Sequence, residues 1–121
     1  MAIQSFDLSK QPPRSPRVRL GGYAILPRCL DKGRATINSK NGEYHFACPV
    51  DQRLLDFVGV KAGAIKQQLA AGKSDGEVLK WIQTHGKHKR TEPEIRAWSA
   101  YQEQRAPADT ESREIFHGLH R

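Results

Sequence analysis

With 121 residues, 37% of them apolar, and a formal charge of +7, the chain can build one modest core, and the regular spacing of its apolar residues argues against a disordered polypeptide. No apolar run approaches the ~18 residues of a membrane span, and the first residues lack the apolar stretch of a secretory signal. Two cysteines, Cys29 and Cys48, are too few for a disulfide scaffold and read as reduced thiols in a cytoplasmic protein.

In chain order, Gln11 to Arg19 reads QPPRSPRVR, and three prolines with three arginines in nine residues favour an extended strap over a helix. From Gly22 to about Ile37 the pattern is helical, with Tyr23, Leu26, Leu30 and Ile37 on one face and Cys29 beside them. Pro27 must occupy the first turn of that helix or kink it. Between Ile37 and Phe46 the Asn41-Gly42 turn signal and the Tyr44-His45-Phe46 run fit a short hairpin or a plain loop. Asp51 reads as an N-cap for a short helix carrying Leu54, Leu55 and Val58 and ended by Gly59. A further helix over 62–71 carries Ile65 and Leu69 and closes at Gly72. Ser74 to Glu77 and Thr91 to Glu94 match the S/T-x-x-E capping box, opening helices with Val78, Leu79 and Ile82 and with Ile95, Trp98 and Tyr101. A last helix is expected over 110–116. The expected fold is therefore all-α: a compact bundle of about five to six short helices, one domain over 1–121, with an extended arm at 1–20 and a helical body at 21–117.

The stretch DLSKQPPRSPRVRLGGYAILPRCLDKGRA from Asp7 to Ala35, PVDQRLLDF from Pro49 to Phe57 and IRAW from Ile95 to Trp98 resemble the domain of unknown function 5069 family. The resemblance runs from Asp7 to about Tyr101, and LPR-x-LDK-x-RA and P-x-DQR are its most distinctive motifs. It implies a bacterial, stand-alone, largely helical domain and no particular activity. Gly33, where a helix-favouring alanine is usual, and Lys61, where an acidic N-cap is usual, are departures that bear on local helix stability.

Four groups of residues could carry chemistry. On a helix Arg28 and Lys32 stand one turn apart with Asp31 close to both. A guanidinium fork and an ammonium suit carboxylate or phosphate, so Arg28 and Lys32 with Arg17 or Arg53 are the candidate ligand-binding residues for a small anion. Asp51 or Asp56 could orient the guanidinium or, should burial raise its pKa, act as a base, and Asp31 and Asp51 are the candidate catalytic residues. The same charges could instead form ion pairs tying the first helix to the Asp51 helix and the arm. Histidine and cysteine make an H-x-x-C pair, His45 and Cys48, and two H-x-x-H pairs, His85/His88 and His117/His120; none is a full zinc motif, and no metal is expected. A thiolate at Cys48 activated by His45 is a third group, set against the commoner role of cysteine as a small hydrophobe. The run Lys87-His88-Lys89-Arg90 is the fourth, a solvated loop or a phosphate-contact patch.

No phosphate loop, dinucleotide fingerprint or nucleophile elbow is present, so no cofactor is expected. The leading reading is a small binding or regulatory module with a cationic groove for an anionic metabolite or partner. A cofactor-free enzyme moving protons with an Asp-Arg pair competes with it. Non-specific nucleic-acid binding ranks third, since no aromatic-basic reading motif accompanies the charge. No membrane partner is expected, and the sequence does not fix an oligomeric state.

Overall fold

Proline dictates how the chain begins. The computed structural model describes residues 4–106, and the Pro-rich segment runs through it without helix, as residues lacking an N–H donor require. It is fastened down at both ends: Leu8 N–H donates to the Lys40 carbonyl at 2.8 Å, and Ile25 N–H donates to the Pro16 carbonyl at 2.9 Å. Leu8 and Pro13 are buried. The strap is thus part of the body.

The strap ends in a hairpin of two short antiparallel strands, β1 (Arg19–Leu20) and β2 (Tyr23–Ala24). Gly21 and Gly22 between them have φ of 59° and 88°. A two-residue turn of this hand needs positive φ at both central positions, and only glycine takes them without cost. Of the hairpin and the plain loop that fit residues 37–46, the structure has the loop, irregular over 38–48, and its hairpin lies at 19–24. The Asn41-Gly42 signal makes a turn there, with Tyr44 N–H on the Asn41 carbonyl at 2.9 Å, but no strand follows.

Five helices follow among the described residues: α1 (Leu26–Ile37), α2 (Pro49–Val58), α3 (Ala62–Ala70), α4 (Asp75–His85) and α5 (Glu92–Ala106). The fold is mainly α. Helix α1 begins four residues later than the Gly22 start expected from periodicity, because Gly22 to Ala24 are spent on the hairpin and Pro27 takes the first turn. Asp51 is not the N-cap of α2. Cys48 holds that position, Pro49 follows it, and Asp51 lies in the first turn. Both capping boxes form: Ser74 Oγ accepts from Glu77 N–H at 3.2 Å, and Thr91 Oγ1 accepts from Glu94 N–H at 3.3 Å, each glutamate reaching back to the cap N–H at 2.8 Å. Lys61 caps α3 without a side-chain hydrogen bond. The helix expected at 110–116 lies outside the described residues.

The core gathers Leu26, Cys29 and Leu30 of α1, Leu54, Leu55 and Val58 of α2, Ile65 and Leu69 of α3, and Val78 and Ile82 of α4, all buried. Each such aliphatic side chain contributes roughly 1.5–3 kcal/mol when fully buried. Gly33 lies on the α1 face toward α3, where an added Cβ would come within 2.5 Å of the Leu69 side chain. An alanine there would displace the terminal methyl of Leu69, so the glycine leaves that side chain its place between α1 and α3. Helix α5 closes the other side. Ser99, fully buried, accepts from Ala24 N–H at 2.9 Å and donates to the Gly22 carbonyl at 2.6 Å, and Trp98 stacks on Phe57 with centroids 4.5 Å apart. No helix among the described residues is long and apolar enough to cross a membrane.

Candidate functional site

Four charged side chains are buried where α1 meets the strap and the start of α2: Arg28 at 4% exposure, Asp31 at 4%, Lys32 at 3% and Asp51 at 0%. Removing a charge from water costs several kcal/mol unless partners repay it, so each should be accounted for by what it touches. Helical spacing puts Arg28, Asp31 and Lys32 on neighbouring positions of α1, yet their partners come from three different segments.

Asp31 is paired with the strap. Arg14 donates to it from its backbone N–H at 2.8 Å and from Nε at 3.0 Å to one oxygen, and from a terminal nitrogen at 2.8 Å to the other. Arg14 also reaches Asp75 at 3.0 Å, which Arg34 of α1 holds at 2.7 Å. The hydrogen bonds it gives to Asp31 hold the Arg14 guanidinium firmly in its charged form. Burial pushes the Asp75 carboxyl up, but Arg14 and Arg34 outweigh it and hold Asp75 below the usual aspartate value. Asp31 is thus an acceptor satisfied on both oxygens, and the geometry does not favour it as a base.

Lys32 turns the other way. Its ammonium donates to Asp51 Oδ2 at 2.9 Å and to Cys48 Sγ at 3.1 Å. Asp51 Oδ2 also accepts the Ala47 N–H at 2.9 Å, which latches the loop ahead of α2. Ala47 has φ of 64°, a left-handed conformation that costs a non-glycine residue about 1–2 kcal/mol. Asp51 Oδ1 is buried with no hydrogen-bond partner, an exception in folded proteins, where buried polar atoms are nearly always paired. Cys48 is half-buried and stands at the N-cap of α2, the positive end of that helix. Cys29, by contrast, is fully enclosed, and burial pushes its thiol well above the usual range.

Arg28 lies beside this pair. It donates to the Arg14 carbonyl at 3.2 Å and sits with Cζ 5.5 Å from the centre of the Tyr44 ring. Burial lowers its pKa, with Tyr44 and Asp51 among the groups opposing that shift.

Of the residues the sequence singled out, the structure brings together Arg28, Asp31, Lys32 and Asp51. Arg53 is half-buried on α2 and donates to Gln102 of α5 at 3.4 Å. Arg17 is exposed on the strap, its backbone N–H on Ser15 Oγ at 3.1 Å, and the nearby carboxylate it acts on is that of Glu103. His45 is exposed, and it is Lys32 that contacts the Cys48 sulfur. Sequence reasoning overlooked Arg14 and Tyr44, and weighed His45 but not Lys32 as a neighbour of Cys48. The partners stand 16 and 17 residues apart in the chain, and no local period reports that.

The basic run after α4 has structural work. Lys89 donates to the Gln83 and Thr84 carbonyls at the end of α4, and Arg90 donates to the Phe57 carbonyl at 2.9 Å while lying 4.3 Å from the Phe57 ring centre. A cleft of about 120 Å³ there is lined by Tyr23, Ile82, Ile95, His88, Lys89 and Arg90. That is small beside the several hundred Å³ of a typical ligand site. No group of three or more metal-binding side chains occurs among the described residues, and His117/His120 lie outside them.

A family model described as "Domain of unknown function (DUF5069)" matches residues 10–121, and the chain belongs to that family. Comparison with curated proteins gives no match.

Proposed function

We propose that the protein is a small binding module that takes a small anionic metabolite at the junction of α1 and α2, with Lys32 as the principal contact and Arg28 beside it. One observation carries this reading. Lys32 is buried to 3% exposure yet gives its ammonium to one carboxylate oxygen and one sulfur. An ammonium has three N–H donors, and sulfur is a weak acceptor, so one donor remains for a ligand oxygen. The opening turn of α2 adds the positive end of a helix ten residues long.

A carboxylate or phosphate of a few heavy atoms fits this chemistry. Asp51 Oδ1, which lacks a partner, would accept from a hydroxyl or protonated oxygen on the same molecule, and so would favour an anion that also carries a donor. Arg53, which donates to Gln102, and Arg17, exposed on the strap, are not needed for this reading. The competing enzyme reading needs an aspartate free to take a proton. Asp51 keeps one unpartnered oxygen, buried, and Asp31 keeps none, so any proton transfer would fall to Asp51.

The experiment is a thermal-shift titration of the full chain with inorganic phosphate, acetate, lactate and a short duplex DNA, each at low and high sodium chloride. A ligand that binds only the folded state raises apparent stability by mass action. The expected result is a saturable shift from one of the small anions that survives added salt. A shift from DNA alone, vanishing in salt, would replace this reading with charge-driven nucleic-acid binding.

A further inference from the structure

Three features converge on Cys48. Lys32 donates to its sulfur at 3.1 Å, and that lysine is itself oriented by Asp51 at 2.9 Å. The residue caps the N-terminus of α2 and is half-buried, whereas Cys29 is fully enclosed. Beside it, Asp51 Oδ1 is buried and unpartnered, and the preceding Ala47 is held in a left-handed conformation by the same carboxylate. Strained backbone persists only where its surroundings fix it, and such strain concentrates at functional sites.

A thiol in contact with a lysine ammonium at a helix N-terminus is favoured as the thiolate, its nucleophilic form. We infer that Cys48 is a reactive nucleophile, with Lys32 stabilising the negative sulfur and Asp51 acting as a positioning residue that holds Lys32. The inference rests on the anion-binding reading for one element only: the class of substrate, a small electrophile carrying a carboxylate.

With iodoacetate as the probe, the sulfur attacks the methylene carbon, an S–C bond forms, and the C–I bond breaks. Iodide leaves with the bonding pair, and the thiol proton passes to solvent. Cys29, fully buried, serves as an internal reference that stays unmodified until the chain unfolds.

The test is time-resolved intact mass and peptide mapping of the native full chain with iodoacetate and, separately, with neutral iodoacetamide at neutral pH. A cysteine in an unstructured peptide is the standard. The expected result is a single adduct at Cys48, formed faster than in the peptide by a factor on the order of ten or more, with the lysine ammonium against the sulfur as the cause. Lys32→Met should abolish the excess and Lys32→Arg should retain most of it. Because Lys32→Met alone leaves Asp51 buried without its ion pair, Lys32→Met/Asp51→Asn is the second variant, and it should also lose the excess. Rapid labelling with a clear preference for iodoacetate over iodoacetamide, relative to the peptide, supports both the nucleophile and the anionic substrate class. Rapid labelling with no such preference keeps Cys48 as nucleophile and overturns the anion-binding reading. Labelling at the peptide rate, or a rate unchanged in the Lys32 variants, overturns the inference itself.

Discussion

Asp51 has no exposed surface, and one of its oxygens serves two donors, the Lys32 ammonium and the Ala47 N–H. This makes it the residue on which the α1–α2 junction turns. Breaking a buried ion pair by removing one partner leaves an uncompensated charge, at a cost of about 3–5 kcal/mol, whereas neutralising both partners is often nearly harmless. Lys32→Met is therefore expected to destabilise the fold by that amount in urea denaturation, and Lys32→Met/Asp51→Asn by much less. A double variant as unstable as the single one would mean that Lys32 is held by packing of its stem and not by the pair. Little of this was legible in the chain. An aspartate just ahead of an apolar run looks the same whether it is an N-cap or stands in the first turn, and only the fold shows Cys48 in the capping place.

At the scale of elements, local signals and non-local ones separate cleanly. The capping boxes at Ser74 and Thr91 and the helix stops at Gly59 and Gly72 are built from residues a few positions apart, so the sequence states them outright. The hairpin at 19–24 escaped notice because two-residue strands leave no alternation to read, and its Gly-Gly turn passed for a simple helix break. How α5 attaches escaped too. Ser99 bridges Ala24 N–H and the Gly22 carbonyl across 75 and 77 residues of chain, and nothing around it in sequence marks it. Ser99→Ala would strand a buried N–H, and the expected loss is about 1–3 kcal/mol, read as a lower urea midpoint with an unchanged slope. A midpoint equal to wild type would show that water replaces the hydroxyl and that α5 is held by its aromatic contacts, chiefly Trp98 on Phe57.

At the scale of the molecule, excess positive charge coexists with carboxylates that, among the described residues, are mostly committed to partners. Asp75 is held below its usual 3.8, with Arg14 and Arg34 overcoming the effect of burial. Glu77 and Glu94 are held below 4.5 by the cap N–H groups they accept, and Glu103 below 4.5 by Arg19. A carboxylate with a depressed folded-state pKa contributes stability that is complete above its unfolded value and is lost as pH falls through the folded one. Stability should accordingly be flat from neutral pH down to about 5 and fall steadily below about 4, with the thermal midpoint as readout; a fall beginning near pH 6 would point to the histidines instead.

The direct test of the α1–α2 junction as a binding site is a proton–nitrogen correlation titration of the isotope-labelled full chain with inorganic phosphate at fixed ionic strength. The account predicts saturable shifts at the Cys48, Val50, Asp51 and Gln52 amides and along α1 near Lys32, with the Lys87–Arg90 loop unmoved. Shifts centred on that loop, or shifts that grow linearly without saturating, would contradict it and leave the buried charges as a purely structural network.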